Sequence, residues 1–210
     1  LCVGVVNSIP KLVASRVLQP VLRSDTRIKL VCSEGGLENL LGELAVHKLD
    51  LVLSDKPIPS GLPVKAFSHA LGGSDIALFA RKGTTRQYEK NFPASLEGAP
   101  VLLPTADNPI RRGLDDWFND EGITPKVVAE FEDSALMKAF GQAGNGIFPA
   151  PAAISAEVEQ MYHARRVGPV IPVEEKYYAI SPERKLKHPA ALKIIEAARK
   201  HLFVYPSARS

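Results

Sequence analysis

Five carboxylates, Glu34, Asp55, Asp107, Glu132 and Asp133, stand in short polar turns, each at a point where an apolar run ends and a helix-patterned run begins. Acids so placed are open to three kinds of chemistry. One in the first turn of a helix accepts hydrogen bonds from N–H groups that lack a partner within the helix, and the helix dipole favours its charge by about 0.3–1 kcal/mol. Adjacent acids such as Glu132 and Asp133 have the types of a general acid and base, yet neighbours in extended backbone point to opposite sides and no nucleophile accompanies them. Several acids gathered together offer hard oxygen ligands to a cation. For any one turn taken alone, capping is sufficient.

Other catalytic patterns are weaker. GQAGNG, 141–146, has the glycine density of a dinucleotide fingerprint, but its glycines end a helix pattern and lead into a strand, the reverse of the order that fingerprint needs. They read as turn and helix-capping glycines. The sequence contains no G-x-S-x-G, H-E-x-x-H, P-loop or C-x-x-C motif, and His47, His69, His163, His188 and His201 are dispersed without ligand spacing. No enzyme activity and no cofactor are expected. Cys2 and Cys32 lie in apolar runs that read as strands, where a free thiol acts as a small buried hydrophobe.

The elements that position these turns follow from periodicity. LCVGVV opens the chain as a buried strand without an initiator methionine, which points to a piece of a longer polypeptide. IPKLVASRVLQPVL places Val13, Val17, Val21 and Ala14, Leu18, Leu22 on adjoining helical rows, with Pro10 suited to the first turn and Pro20 expected to kink or shorten the far end. IKLVC (28–32) and LVL (51–53) read as strands flanking a helix with Leu37, Leu40, Leu41 and Leu44 on one face. Strand, helix, strand, helix, strand with continuous apolar strands means parallel pairing through right-handed crossovers.

A second α/β unit follows. It comprises strands IALFA (76–80), PVLLP (100–104), KVVAEF and GIF, a helix opened by Asn108 and Pro109, carrying Leu114, Trp117 and Phe118 and closed by Gly122, and a helix SALMKAFGQAG. The tail adds the strand EKYYAIS and a helix with Leu192, Ile195, Ala198 and Leu202 on one face, and PSARS is expected to fray. GGSD (72–75) and GPVIPVEE (168–175) read as the two linkers. The 210 residues are 45% apolar, enough for a sizeable core, and the +3 net charge is scattered among acids, which speaks against nucleic-acid binding by this segment. No apolar stretch approaches the roughly 18 residues of a membrane span, and no signal peptide is visible, so the expected setting is soluble and cytoplasmic.

In an open α/β sheet, ligands bind beyond the carboxyl ends of the strands, so these turns are expected to line one crevice. The expected effector contacts are Asn7, Ser8, Ile9, Glu34, Gly35, Gly36, Asp55, Asp107, Asn108, Glu132, Asp133, Phe148 and Ala150. Helix N-termini gathered there favour an anion, whereas Glu34, Asp55, Glu132 and Asp133 favour a cation.

HKLDLVLSDKPI (47–58), LPTADNPIRRGLDDWFNDEG (103–122), EFEDSALMKAFGQAGNGIFPAP (130–151) and KYYAISPERKLKHPA (176–190) resemble the effector-binding domain of LysR-type transcriptional regulators, and within them the branch that activates sodium/proton antiporter genes. Gly144, Gly146, Ile147 and Pro151 match the family's Gly-x-Gly-Ile run into a proline, Pro149 falls where an apolar residue is more usual, and His47 stands where many relatives have glycine. The resemblance implies an α/β fold of two Rossmann-like, periplasmic-binding-protein-like subdomains joined by two crossover strands, subdomain I being 1–72 with 173–210 and subdomain II 73–172. It implies a small-molecule or ion effector between the subdomains, sodium or lithium for the antiporter branch, with a small organic carboxylate as the alternative. It also implies a winged helix-turn-helix DNA-binding domain ahead of Leu1, homodimers, and tetramers on DNA. A dimer contact through the helix around Leu40 and the one near Phe118 is drawn from the same pattern. A periplasmic-type solute-binding protein is the competing class.

Overall fold

The computed structural model describes residues 1–23, 28–186 and 188–203, so the expected fraying of PSARS lies outside the described residues. The chain divides into two compact units, Leu1–Gly73 with Lys176–Ser210, and Ser74–Glu175.

The first unit opens with β1 (Cys2–Val6), α1 (Lys11–Leu22), β2 (Val31–Gly35), α2 (Leu37–Ala45) and β3 (Leu51–Ser54). β1 pairs in parallel with both β2 and β3, with Val6 opposite Gly35 and Val5 opposite Leu53, so the carboxyl ends of all three strands finish along one edge. The tail supplies the end of β9 (Ile171–Ser181), antiparallel to β3, and α7 (Pro189–Ala197). Leu40, Leu41 and Leu44 of α2 pack with Val6, Leu49, Val52 and Ile180, which is the face that the leucine spacing predicts. α1 ends two residues past Pro20 and buries Val13, Ala14, Val17, Leu18 and Val21, but leaves Leu22 exposed.

Three expectations in this unit need correction. The second strand is Val31–Gly35 rather than 28–32, and it is half exposed because it is the edge strand, paired only with β1. Cys32 is therefore exposed and Cys2 half-buried, and neither is a core thiol. Burial of part of the Cys32 side chain, with Glu34 close by, pushes its thiol up and makes it less reactive, not more. On α7 Ile195, and Ala198 just beyond it, are buried as expected, but Leu192 is exposed and Ala190, Ala191 and Ile194 are buried beside them, so the apolar face is centred differently from the expected one.

The second unit takes up β4 (Phe67–Arg81) and continues through α3 (Arg86–Glu89), β5 (Pro100–Pro104), α4 (Pro109–Asp120), β6 (Lys126–Phe131), α5 (Ser134–Ala143), β7 (Phe148–Pro151), α6 (Ser155–Met161) and β8 (Ala164–Arg166), ending at the start of β9. β5 runs parallel to β6, while β4 pairs antiparallel with β7 and β8. Ile147 donates to the Pro100 carbonyl (2.8 Å) and accepts at its own carbonyl from Leu102 (2.7 Å), which sets the approach to β7 parallel to β5. The core gathers Ile76, Leu78, Val101, Leu103, Leu114, Trp117, Phe118 and Val173.

The chain crosses between the units at Gly73/Ser74 and Glu175/Lys176, in or at the end of the two expected linkers, but it crosses as strand: GGSD lies wholly inside β4, and 171–175 lie inside β9. Leu71, Gly72, Gly73 and Ser74 are buried, and buried backbone needs hydrogen-bond partners, which a strand provides and a free linker does not. The glycine cluster signals local freedom (Gly72 has φ +129°) without ending the strand. Among the described residues no helix is long and apolar enough to cross a membrane.

Candidate functional site

Within the first unit the turns after β1, β2 and β3 lie side by side, as the parallel register requires. The Asn7 N–H donates to the Gly35 carbonyl (3.1 Å) and the Ile9 N–H to the Val6 carbonyl (3.0 Å), closing a tight turn before α1. Asn7 is exposed, Ser8 half-buried and the Ile9 side chain buried, so Ile9 can offer a ligand only its backbone. Glu34, at the end of β2, is paired with Lys11 Nζ in the first turn of α1. Gly35 completes the strand and Gly36 caps α2 in an extended conformation. After β3, Ser54 Oγ accepts from the Lys56 N–H (3.1 Å) and donates to the Lys56 carbonyl (2.6 Å), a local turn that leaves the neighbouring Asp55 almost buried.

Within the second unit the turns after β5 and β6 share one edge in the same way, and the Thr105 N–H reaches the Phe131 carbonyl (3.1 Å). Asn108 and Asp133 are the helix caps that their types predict: Asn108 Oδ1 accepts from Ile110 (3.1 Å) and Asp133 Oδ1 from Leu136 (2.7 Å). Asp107 and Glu132 are exposed beside them. Phe148 and Ala150 are buried in β7, and the Phe148 ring stacks on Phe79 with centroids 5.8 Å apart, so these two side chains belong to the core.

Sequence reading missed two residues here. Arg111 clamps the edge: its Nη1 binds Glu130 Oε1 (2.7 Å) and the Pro104 carbonyl (2.8 Å), and its Nε binds Asp115 (3.0 Å). Burial works against its charge, but the hydrogen bonds to Glu130 and Asp115 outweigh it and hold the guanidinium above its usual value. The other is Lys138 on α5, whose side chain is only 2% exposed. Its Nζ donates to the Ser134 carbonyl (3.0 Å), and burial pushes its pKa down to about 8, partly opposed by Glu175 and Asp133. Tyr162 is raised, by burial and then by the Asp133 charge. A buried, shifted lysine beside acids in a helix's first turns is the kind of group that marks a binding site. The signal available in the sequence was its place in SALMKAF directly after Met137, a buried position on the same helix.

The acids do not form a ready metal centre: among the described residues no three His, Cys, Asp or Glu side chains gather into a group that could hold a metal ion. Glu34 and Asp55 sit on the edge of the first unit, Glu132 and Asp133 on that of the second.

One chain thus passes twice between two α/β units, and in each unit carboxyl-end turns close on parallel strands. The profile of the LysR substrate binding domain matches residues 1–203. The chain belongs to that family. The transcriptional activator protein NhaR of Escherichia coli (strain K12) is 36% identical over 201 residues, 96% of this chain and 66% of NhaR, so the chain spans about two-thirds of that relative's length. Among solved structures, a LysR family regulator from Pseudomonas aeruginosa superposes with a TM-score of 0.71 at 16% identity, covering 96% of this chain and 70% of that one. The effector binding domain of QuiR in complex with shikimate superposes with a TM-score of 0.62 at 14% identity, covering 96% of each chain. At such identities the superpositions establish the fold: a LysR-type, periplasmic-binding-protein-like pair of α/β subdomains. The family's description is that of a substrate binding domain.

Proposed function

We propose that this chain is the effector-binding domain of a transcriptional activator of a sodium/proton antiporter gene, with Na+ or Li+ as its inducer. The observation that carries this reading is the 36% identity to NhaR across 96% of the chain. Glu34 and Asp55 on one unit and Glu132 and Asp133 on the other supply hard oxygen donors of the kind an alkali cation takes. An ion sensed at millimolar concentration needs only about 4 kcal/mol of binding free energy, which a few carboxylate and carbonyl oxygens can provide. Binding shifts a pre-existing equilibrium between arrangements of the regulator by the difference in affinity for them. Thermal midpoints are expected to rise with NaCl and LiCl from 1 to 100 mM beyond the rise given by KCl, and an identical response to all three salts removes the cation reading.

A small organic carboxylate is the second reading, and Lys138 is the observation that favours it: a buried ammonium at the N-terminal end of α5 would neutralise an anion that the acids alone repel. Rise of the midpoint with small carboxylic acids at constant sodium separates the two.

The oligomer is proposed to be a homodimer in isolation. Leu40 and Phe118 are themselves buried inside their own units, so a dimer contact through their helices, α2 and α4, is left to the exposed residues beside them, such as Glu43 and Asp116. Exposed apolar residues are scattered over both units, Val46 at the end of α2 among them, but four share one place: Val127 and Val128 on β6, an edge strand, and Leu136 and Phe140 on α5, which packs beside it. An unpaired edge with exposed valines is a ready template for a second chain. Val128→Lys is expected to move the molar mass measured by light scattering from dimer toward monomer at micromolar concentration. An unchanged mass moves the contact to another face.

A further inference from the structure

A cavity of about 480 Å³ opens in the first unit, at the edge of the sheet opposite the effector turns. The topology fixes that placement. β3 begins at Leu51 and β9 ends at Ser181, and the two are antiparallel with Val52 opposite Ile180. Residues leading into β3 and residues leaving β9 therefore meet at the amino end of β3, whereas Asp55 follows its carboxyl end.

The floor is apolar: Leu49 and Ala191 line it with side chains otherwise buried, and Leu186 forms a wall. The polar lining is acidic and hydrogen-bonding. Asp50 is held in place by the Cys2 N–H, which donates to Oδ2 at 2.7 Å and leaves Oδ1 for other contacts, and Glu183 brings a second carboxylate. His188 caps α7, its Nδ1 accepting from the Ala190 N–H (3.2 Å), so its Nε2 is the ring's donor. His47 lies on the rim at φ 58°, a left-handed conformation that is uncommon for a residue other than glycine. Among the described residues no lysine or arginine lines the cavity.

Its volume lies within the roughly 300–1,000 Å³ of small-molecule sites, and an apolar body bounded by a few placed polar groups is their usual make-up. We propose that this cavity is a second ligand site for a small organic amine, whose ammonium pairs with Asp50 and Glu183 and whose apolar body rests on Leu49, Leu186 and Ala191. None of the cavity's lining residues lies at the turns after β1, β2 and β3.

Benzylamine is the probe, with benzyl alcohol as its neutral counterpart and benzoate as its anionic one, added to the intact chain at fixed sodium. Saturable shifts of the His47 and His188 ring resonances in a ¹H–¹³C spectrum are expected with benzylamine alone, with His163 unmoved. Glu183→Gln is expected to weaken binding about tenfold, the loss of one charge-assisted hydrogen bond. Ala191→Met, which fills the floor, is expected to abolish it. Glu183 is exposed, so its variant stays folded even if Ala191→Met does not. Benzyl alcohol binding as tightly as benzylamine, or no saturable shift at either histidine, overturns the proposal.

Discussion

Replacing Lys138 with methionine is expected to stabilise the domain by about 2–3 kcal/mol at pH 7, or roughly 5–10 °C in thermal midpoint. The lysine sits at a pKa of about 8 in the folded chain against an ordinary 10.5, and that displacement already nets the attraction of Glu175 and Asp133 against burial, so burial wins. Methionine has similar length and no charge to desolvate. The Ser134 carbonyl keeps a partner, since the helical N–H of residue 138 still reaches it. Between pH 8 and 10.5 the unfolded chain binds the proton that the folded chain has released, so wild-type stability rises with pH across that window. The cost is fully present below pH 8 and gone above 10.5, and the methionine variant lacks this rise. Urea denaturation of both proteins at pH 7 and pH 10 checks the claim: parallel pH profiles would show that Lys138 is solvated. A group held in place at such a cost is expected to serve binding, and the stabilised variant is expected to lose its response to effector.

Gly141→Ala is expected to act in the opposite direction. In an exposed helix the change gains close to 1 kcal/mol, because glycine has more backbone freedom to lose. A methyl group at 141, however, would lie 2.0 Å from Phe148 Cδ1 and 2.3 Å from its Cε1. Phe148 has no exposed surface and is stacked on Phe79, so the ring cannot swing clear. The expected loss is about 3 kcal/mol or more, from overpacking. Gly42 of α2 is the control: a methyl group there meets nothing within 4 Å, and Gly42→Ala should raise stability by up to about 1 kcal/mol. If both alanine variants stabilise, α5 is not packed against β7 as described. The same clash would displace α5, which carries Asp133 and Lys138, so effector response is expected to fall together with stability.

This glycine also shows where sequence reading fails. Local pattern gives Gly141, Gly144 and Gly146 the same role, as turn and capping glycines. Gly144 does cap α5, at φ +89°, but Gly141 lies inside the helix and makes room for Phe148, and Gly146 sits where a methyl group would come within 3.0 Å of the Pro100 carbonyl oxygen. Local pattern identifies a glycine that turns the chain. It cannot identify one whose missing side chain is needed by a residue on another strand. Lys138 escapes a local reading for a related reason: its burial is set by tertiary packing, the Glu175 charge that partly offsets it lies 37 residues further on, and a lysine in a helix ordinarily faces water.

β2 makes the complementary case. IKLVC has the composition of an interior strand, but only its neighbours decide that it lies at the sheet edge, so the strand starts three residues later and Cys32 faces out. The acids at the turns were legible one by one, and Asn108 and Asp133 cap the helices that their types announce. Their salt-bridged environment was not legible, since Lys11 reaches Glu34 across 23 residues and Arg111 reaches Glu130 across a strand.

The amino-acid order by itself determined the alternation of strands and helices, the caps, the apolar faces of α1 and α2, and, through its motifs, the family. These are set by residues within a few positions of one another, where backbone preference and side-chain period act directly. Only the tertiary structure decided which strand is an edge, which glycine is a packing space, which lysine loses its water, and where a cavity is left at the far end of β3, because burial and electrostatic coupling belong to neighbours in space that the chain order does not name.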